Sequence, residues 1–358
     1  MKRFLTPAAL VVICLLGLTE LGARLFFAQD ISGRFDYGYH PQAGFAEHAD
    51  GTVELFRAGG RRFYPQTFRR QRPPGEFRIL TIGDSVPRGP SLKGAYPWLL
   101  GEELRQHGIA AESLNLAVPG YGARRCQIVL RQALNYDPSL VILHFDDYNK
   151  WEDEREWRRS QEFQGWHPRH WLMKIFIFRR LYEAKLEKIF WPLVPEEIRL
   201  RYALNDADAQ VAAGADPREV AARLKLAYDT AVENVAMVRA RHIPVILVTQ
   251  CRLEEDAQGR LSLSDHGLDA LAASLTGPGV YHVSMQDVLS GQDIKAIFAN
   301  FSGHLHQNGH QILAQAIFEK IRQERAALGL PNLKVAVAGG APETEIAAPS
   351  HPGKAQAP

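Results

Sequence analysis

The 358-residue sequence lacks the patterns that mark several large protein classes. It contains no Walker or Rossmann glycine fingerprint and no zinc-type spacing of cysteine and histidine, so nothing in it indicates a bound nucleotide or metal. Its formal net charge is only +2, and charge therefore gives no argument for a nucleic-acid partner. We expect neither a cofactor nor a metal, and no nucleic acid.

Cysteine is also scarce, with Cys14, Cys126 and Cys251 as the three examples. Cys14 lies in an apolar N-terminal segment. We expect Cys126 and Cys251 to be buried free thiols, because unpaired cysteine is among the most buried residue types. A disulfide between them in an oxidising compartment is the alternative.

The N-terminus has the pattern of an export signal. Lys2 and Arg3 precede the apolar run from Phe4 to Leu18. No clear small-x-small cleavage site follows, and a helix continuing to about residue 27 is long enough to span a bilayer. The positive flank places this end in the cytoplasm. We predict a signal-anchor helix at 1–27 in a bacterial inner membrane, with the remaining chain in the periplasm; secretion after signal cleavage is the alternative.

Composition divides the rest of the chain. Residues 28–75, rich in glycine, arginine and aromatic residues, are predicted to be a linker and an irregular lead-in, and 76–330 to form one domain. Residues 331–358 lack periodicity and are predicted to be disordered. A helical insertion is predicted at 150–216. Its aromatic and basic run at 171–182 fits a cap on the core, the wall of a substrate groove or a helix on a membrane surface.

Strand-like apolar runs alternate with helical patterns through the domain. The predicted strands are 77–82, 113–118, 139–145, 243–249 and 280–284, and the predicted helices include 123–134, 217–241 and 307–327. Such alternation indicates a parallel sheet covered on both faces. Five strands in this order fit an α/β fold of the flavodoxin-like three-layer α/β/α type.

A candidate nucleophile follows the first predicted strand. The tripeptide Gly83-Asp84-Ser85 ends that strand, and nucleophiles of open α/β sheets lie just past the carboxyl ends of strands. No G-x-S-x-G elbow surrounds Ser85, which argues against an α/β-hydrolase. Asp84 is interpreted as structural.

Three further segments accompany this tripeptide, at 115–122, 140–149 and 304–310. With all four segments in this order, the chain resembles the SGNH (GDSL-type) serine hydrolase family from about residue 77 to 325. The resemblance implies the same three-layer fold, with a five-stranded parallel sheet, and esterase chemistry that needs no cofactor.

The resemblance also implies roles for individual residues. Ser85 would be the nucleophile and His304 its base, with His306 and His310 as competitors for the second role. A serine hydroxyl becomes a good nucleophile only when a base removes its proton.

The oxyanion donors implied by the resemblance are the backbone N–H groups of Ser85 and Gly120 and the side-chain amide of Asn149. Glycine at position 120 also has a physical reason, because close backbone approach is easiest without a Cβ. Asn149 is chosen as the asparagine of its segment, although the usual glycine and trailing aspartate are missing there.

The third triad member is missing from its usual place. The family has an aspartate two or three residues before the histidine, whereas this chain has Phe301 and Ser302. The nearest upstream polar residue is Asn300. Three outcomes are open: Ser302 or a backbone carbonyl orients a dyad, a carboxylate such as Asp293 or Asp287 substitutes, or a weakened site is kept for binding.

These observations predict an exported esterase. It would remove, or transfer, an acyl group, with acetyl as the favoured group, on a cell-envelope or secreted polysaccharide through an acyl-Ser85 intermediate. A catalytically degenerate domain that binds carbohydrate or assists assembly is one alternative, and a membrane-proximal lipase or thioesterase is another. The expected partners are an acylated carbohydrate or lipid ester and the inner membrane.

Overall fold

The structure is a computed structural model, and it describes residues 7–27, 44–55, 63–146, 175, 177 and 216–331. Most of the predicted insertion, the predicted tail after residue 331 and the oxyanion candidate Asn149 lie outside these residues.

The first helix, α1, spans Pro7–Phe27. Within the described ranges, no helix combines the length and apolar character needed to cross a bilayer. The predicted signal-anchor at 1–27 and the location outside the cytoplasm stay predictions.

Three short strands stand in the segment predicted to be an irregular lead-in. They are β1 (Phe45–Glu47), β2 (Thr52–Leu55) and β3 (Thr67–Arg69), which form an antiparallel sheet in the order β1-β2-β3. Phe45 and Phe68 are buried and pack against Tyr136, with ring centroids 5.2 Å from its ring in both cases. Aromatic packing on the main domain, which no local pattern in the sequence records, orders this segment.

The central sheet has five parallel strands. They are β4 (Phe77–Ile82), β5 (Ala111–Asn115), β6 (Leu140–Phe145), β7 (Val245–Thr249) and β10 (Val280–Ser284), in the spatial order β10-β7-β6-β4-β5. Every residue of β4, β6 and β7 is buried, which explains their continuous apolar runs. This is the flavodoxin-like order, and the prediction of an α/β three-layer fold is confirmed.

Helices connect and cover these strands. They are α2 (Ser85–Arg88), α3 (Tyr96–Gln106), α4 (Ala123–Ala133), a 3₁₀ turn (Leu134–Tyr136), α5 (Pro217–Arg239), α6 (Leu268–Leu275), α7 (Met285–Leu289), α8 (Ile294–Ile297) and α9 (Gln307–Gln323). A two-stranded hairpin, β8 (Arg252–Glu255) with β9 (Leu261–Ser264), follows β7.

The two faces of the sheet carry separate apolar cores. One core joins alternate strand residues to α4, α5, α6 and the lead-in aromatics, and the other joins the intervening residues to α3, α7 and α9. Cys126 belongs to the first core and Cys251 to the second. Both are buried and free, as expected, and the alternative disulfide is not formed.

The packed lead-in generates a stability prediction. Phe68→Ala should lower the free energy of unfolding by about 3 kcal/mol, because it removes a buried ring from the Phe45–Tyr136 cluster. The measurement is urea denaturation followed by circular dichroism.

The matched control is Phe301→Ala, since Phe301 is 53% exposed. That change should alter stability by less than about 0.5 kcal/mol. An equal, small effect of both substitutions would contradict the packing of the lead-in on the domain.

Candidate active site

Ser85 lies just past the carboxyl end of β4 and is the first residue of α2. The turn before it is tight at Gly83, where a Cβ would lie 2.6 Å from the Cγ of Pro87 and 2.9 Å from the Cβ of His144. A glycine is therefore required where the chain passes β6. This constraint fixes the direction in which the serine leaves the sheet.

His304 meets Ser85 from the loop that precedes α9. The Nε2 of His304 lies 2.8 Å from the Oγ of Ser85. The loop is held from both sides: the carbonyl of His304 accepts from the N–H of Ala299 at 2.8 Å, and Gly303 adopts φ +84°. A Cβ on Gly303 would lie 2.5 Å from the carbonyl oxygen of Cys251. The loop thus packs closely on the chain after β7, and position 303 has no room for a residue larger than glycine.

Asn300 occupies the other side of the imidazole. Its Oδ1 lies 3.0 Å from the Nδ1 of His304. The same oxygen accepts from the backbone N–H groups of Ser302 at 3.0 Å and of His304 at 3.4 Å. Because backbone N–H groups can only donate, they identify this amide atom as the oxygen. The imidazole then donates from Nδ1, and its Nε2 is an acceptor for the hydroxyl of Ser85.

Asp293 and Asp287, the substitute carboxylates that the sequence left open, are not among the described side-chain partners of His304. The carboxylate of Asp293 accepts from the backbone N–H of Lys295 at 3.1 Å and caps α8. Asp287 lies in the first turn of α7, where its own N–H donates to the hydroxyl of Ser284. The carboxylate of Asp293 is therefore used locally, as the cap of a short helix.

The sequence singled out Asn300 as the nearest polar residue but gave it no role. The available signal was an amide four residues before the histidine in one loop, and a side chain at that distance can bond across the loop. Ser302, the predicted alternative, contributes through its backbone: its N–H donates to Asn300, and its carbonyl accepts from Gln250 at 2.9 Å.

The competing histidines lie elsewhere. His306 is exposed at the start of α9 and makes no side-chain cap there. His310 is buried, and its Nδ1 accepts from the backbone N–H of Tyr96 at 3.4 Å. Neither is bonded to Ser85 among the described contacts.

Gly120 lies in the turn after β5, next to the nucleophile turn. The N–H of Val118 donates to the carbonyl of Gly83 at 3.1 Å, which ties the two turns together. Gly120 adopts φ +69°, a conformation that favours glycine. Gly120 thus lies two residues after a position that is tied to the nucleophile turn, and Asn149 lies outside the described residues.

A buried charged cluster lies beneath the serine. Asp84, adjacent to Ser85, is 4% exposed and forms a side-chain hydrogen bond with Asp146, which is 6% exposed. Asp146 also accepts from the Nη2 of Arg252 at 2.7 Å. Burial, followed by the charge of Asp146, raises the pKa of Asp84 well above its usual value. A raised pKa favours the protonated form of the Asp84 carboxyl group.

Two buried histidines, His144 and His310, have lowered pKa values. His144 lies between the hydroxyl of Tyr96, 3.3 Å from its Nδ1, and the amide oxygen of Gln250, 3.1 Å from its Nε2. Burial lowers the pKa of His144 and of His310 from 6.5 to about 4. Both imidazoles are therefore neutral at pH 7.

His304 itself is half-buried. Burial is the largest effect on its pKa and lowers it, while the negative charge of Asp146 raises the pKa and the positive charge of Arg252 lowers it. A lowered pKa keeps the imidazole neutral near pH 7, which is the form that can accept a proton. In the described part of the chain, no group of three or more histidine, cysteine or acidic residues is arranged to hold a metal.

Comparisons with known proteins give a distant likeness only. No family model matches the chain, and no curated protein matches it. Among solved structures, a catalytic mutant of an acetylxylan esterase from Geobacillus stearothermophilus aligns over 72% of this chain and 97% of its own, with 14% identity and a TM-score of 0.41.

Two further solved structures are similarly distant. A family 3 carbohydrate esterase from Clostridium thermocellum covers 71% of this chain and 100% of its own at 11% identity, with a TM-score of 0.39. A member of the lipolytic G-D-S-L family from Veillonella parvula covers 68% and 97% at 11% identity, with a TM-score of 0.36. The function is therefore argued below from the residues of the site.

The two buried histidines generate a prediction for acid stability. Between pH 6.5 and about 4, the unfolded chain binds protons at His144 and His310 that the folded chain excludes, so stability falls as the pH falls through this window. A pKa lowered from 6.5 to about 4 corresponds to about 3 kcal/mol for each imidazole. Urea denaturation at several pH values measures the slope.

His144→Gln should remove about half of this extra pH dependence, because one of the two excluded protons is lost. The control is His306→Gln, which changes an exposed imidazole and should leave the slope as it is. A His144→Gln slope equal to that of the unchanged protein would contradict the assignment.

Proposed function

We propose that this protein is a serine esterase of the SGNH type. One observation carries the proposal: Ser85, His304 and Asn300 form a continuous hydrogen-bonded relay, with 2.8 Å between Oγ and Nε2 and 3.0 Å between Nδ1 and Oδ1. A base within 2.6–3.2 Å of a serine hydroxyl, itself oriented by a third group, is the arrangement of an activated nucleophile.

In the first half-reaction, the Oγ of Ser85 attacks the carbonyl carbon of an ester. Its proton moves to the Nε2 of His304, and the Oδ1 of Asn300 keeps hold of the Nδ1 proton. The negative charge that develops on the carbonyl oxygen needs donors, each worth a few kcal/mol. The N–H groups of Ser85 and Gly120 and the amide of Asn149 are proposed to supply them.

Collapse of this intermediate breaks the bond to the alcohol oxygen, which takes the proton from Nε2 of His304. The acyl group stays on Ser85. In the second half-reaction, His304 accepts a proton from water, the resulting oxygen attacks the acyl carbon, and the proton returns to Ser85 as the acid leaves. A sugar hydroxyl in place of water would make the same chemistry an acyl transfer.

An asparagine in the position of the triad acid can lower the catalytic rate. In serine proteases, replacing the triad aspartate by asparagine lowers the rate by about 10⁴-fold, because the imidazole adopts the wrong tautomer. Here the backbone N–H groups of Ser302 and His304 hold the amide oxygen of Asn300 towards the ring. The correct tautomer is therefore retained, and only the negative charge is missing. This supports an enzyme over a degenerate binding domain.

The proposed substrate is an acylated carbohydrate of the cell envelope or a secreted polysaccharide, with acetyl as the acyl group. Support comes from the resemblance of the four sequence segments and from the predicted export signal. The lipase or thioesterase alternative depends on residues 171–182, of which the structure describes only Ile175 and Ile177.

A fluorophosphonate probe tests the reaction class. The full-length chain should be labelled on Ser85, because the base increases the nucleophilicity of that hydroxyl. Ser85→Ala should abolish labelling, and His304→Ala should slow it by roughly 10³-fold or more. Mass spectrometry of the labelled peptide identifies the residue. His306→Ala, beside the relay, is the matched control and should label as the unchanged protein does.

A folded, unlabelled protein would contradict the esterase proposal and favour the binding role. If labelling occurs, hydrolysis of p-nitrophenyl acetate is compared with that of the palmitate ester. Faster hydrolysis of the acetate agrees with deacetylation, whereas a preference for palmitate would replace this substrate class by the lipase alternative.

Substitutions of Asn300 test the relay. Asn300→Ala should lower the labelling rate by at least about tenfold, because the imidazole loses its orienting acceptor. Asn300→Asp keeps the size and the acceptor and adds the missing charge, so the rate at pH 7 should rise by about tenfold or more. Labelling reactions with the fluorophosphonate, quenched after different times, give both rates. A wild-type rate in Asn300→Ala would show that Asn300 has no part in catalysis.

A further inference from the structure

The relay leaves the imidazolium of His304 without a carboxylate at Nδ1. A developing positive charge in a partly buried site is costly unless a negative charge lies nearby. A counter-charge for the imidazolium must therefore come from another residue near His304.

Charged and titratable groups face His304 from several elements. Asn300 and Ser85 contact the ring directly, and both are uncharged. His144 on β6 and His310 on α9 are neutral at pH 7, because burial lowers the pKa of each to about 4. The groups that act on His304 through their charge are Asp146, at the end of β6, and Arg252, at the start of β8.

Geometry places the carboxyl pair at the base of the nucleophile turn. Asp84 is joined to Ser85 through the chain, and its carboxyl group is hydrogen-bonded both to the N–H of Val86, at 3.2 Å, and to Asp146. The pair is therefore fixed to the same turn that presents Ser85 to His304.

Arg252 fixes the pair from the histidine side. It lies 2.7 Å from Asp146, and the next residue, Leu253, donates its N–H to the carbonyl of Phe301 in the histidine loop at 3.3 Å. Both side chains of the ion pair are nine-tenths buried or more. The cluster thus bridges the two halves of the relay and is shielded from solvent and salt.

We propose that Asp146, which is hydrogen-bonded to Asp84 and held in place by Arg252, supplies the counter-charge for the His304 imidazolium that Asn300 lacks. Asp146 is in this sense an electrostatic residue, since it is buried and is argued to act through His304. The inference rests on the proposed function of the relay and assigns the charged group that makes an asparagine in that relay workable. It also assigns a role to Asp84 beyond capping α2, as the hydrogen-bond partner that helps to hold Asp146 in place.

The test measures the titration of His304 directly by NMR of the full-length chain with ¹³C-labelled histidine. The chain contains 13 histidines, and the His304 signal is identified as the one absent from His304→Gln. The key variant is Asp84→Asn/Asp146→Asn, which removes both carboxyl groups of the pair. Asp84→Asn alone is the matched control, because its amide resembles the protonated carboxyl and leaves the charge on Asp146.

In the double variant, the pKa of His304 should fall by roughly half a unit or more, because a nearby negative charge favours the protonated ring. In Asp84→Asn, it should stay within about 0.2 units of the unchanged protein. The acidic limb of the pH profile for fluorophosphonate labelling should shift to lower pH by the same amount as the NMR titration.

Thermal melting shows which variants fold. If the double variant does not, Asp146→Asn alone is measured, and a downward shift is again expected. An unshifted pKa of His304 in a folded variant without Asp146 would overturn the proposal. If the unchanged protein is labelled but the pKa of His304 does not shift in the variant, this inference is contradicted and the esterase proposal stands. If the pKa of His304 shifts in the variant but the unchanged protein is not labelled, the electrostatic role is supported and the esterase proposal is contradicted.

Discussion

The hydrogen bond between Ser85 and His304 joins residues 219 positions apart, and the rest of the fold serves to make it possible. The serine leaves the sheet at the end of β4, a central strand, and the histidine approaches from a loop packed on the chain that follows β7. Glycines at positions 83 and 303 allow both approaches, because a Cβ at either one would meet neighbouring atoms at less than 3.0 Å.

Two tasks that one aspartate performs in a serine triad are divided in this site. An aspartate both orients the imidazole and stabilises its cation. Asn300 orients the ring, since backbone N–H groups fix its amide oxygen. Charge stabilisation is then left to groups further away, and the buried pair of Asp84 and Asp146 with Arg252 is placed to provide it. Burial matters for this division, because a charge acts at longer range where water is excluded.

Much of the fold could be predicted from the sequence, because buried parallel strands have continuous apolar runs and the helices between them are periodic. The fifth strand, Val280–Ser284, matches its predicted bounds, and α4 differs from its prediction by one residue. Strands β1, β2 and β3 could not be predicted, since each has three or four residues. Their sheet packs on the domain through Phe45 and Phe68, which contact Tyr136 far along the chain.

The site was predictable in a similar way. Ser85 and His304 follow recognisable strand ends and loops, and the structure brings them together. The role of Asn300 was not predictable, because an asparagine side chain can present either its oxygen or its nitrogen, and only the folded loop decides which. The cluster of Asp84, Asp146 and Arg252 likewise joins distant parts of the chain, since Arg252 donates a hydrogen bond to Asp146, 106 positions earlier. No local pattern records such a pairing.

The tautomer of His304 tests this division of tasks most directly. Nitrogen-15 NMR of the histidine side chains at pH 7.5, with the His304 signals assigned by His304→Gln, distinguishes a ring nitrogen that carries a proton from one that does not. We expect the proton on Nδ1, bonded to Asn300, and an unprotonated Nε2 facing Ser85. A proton on Nε2 would show that the amide does not hold the ring in the form required of a general base, and would contradict the catalytic relay.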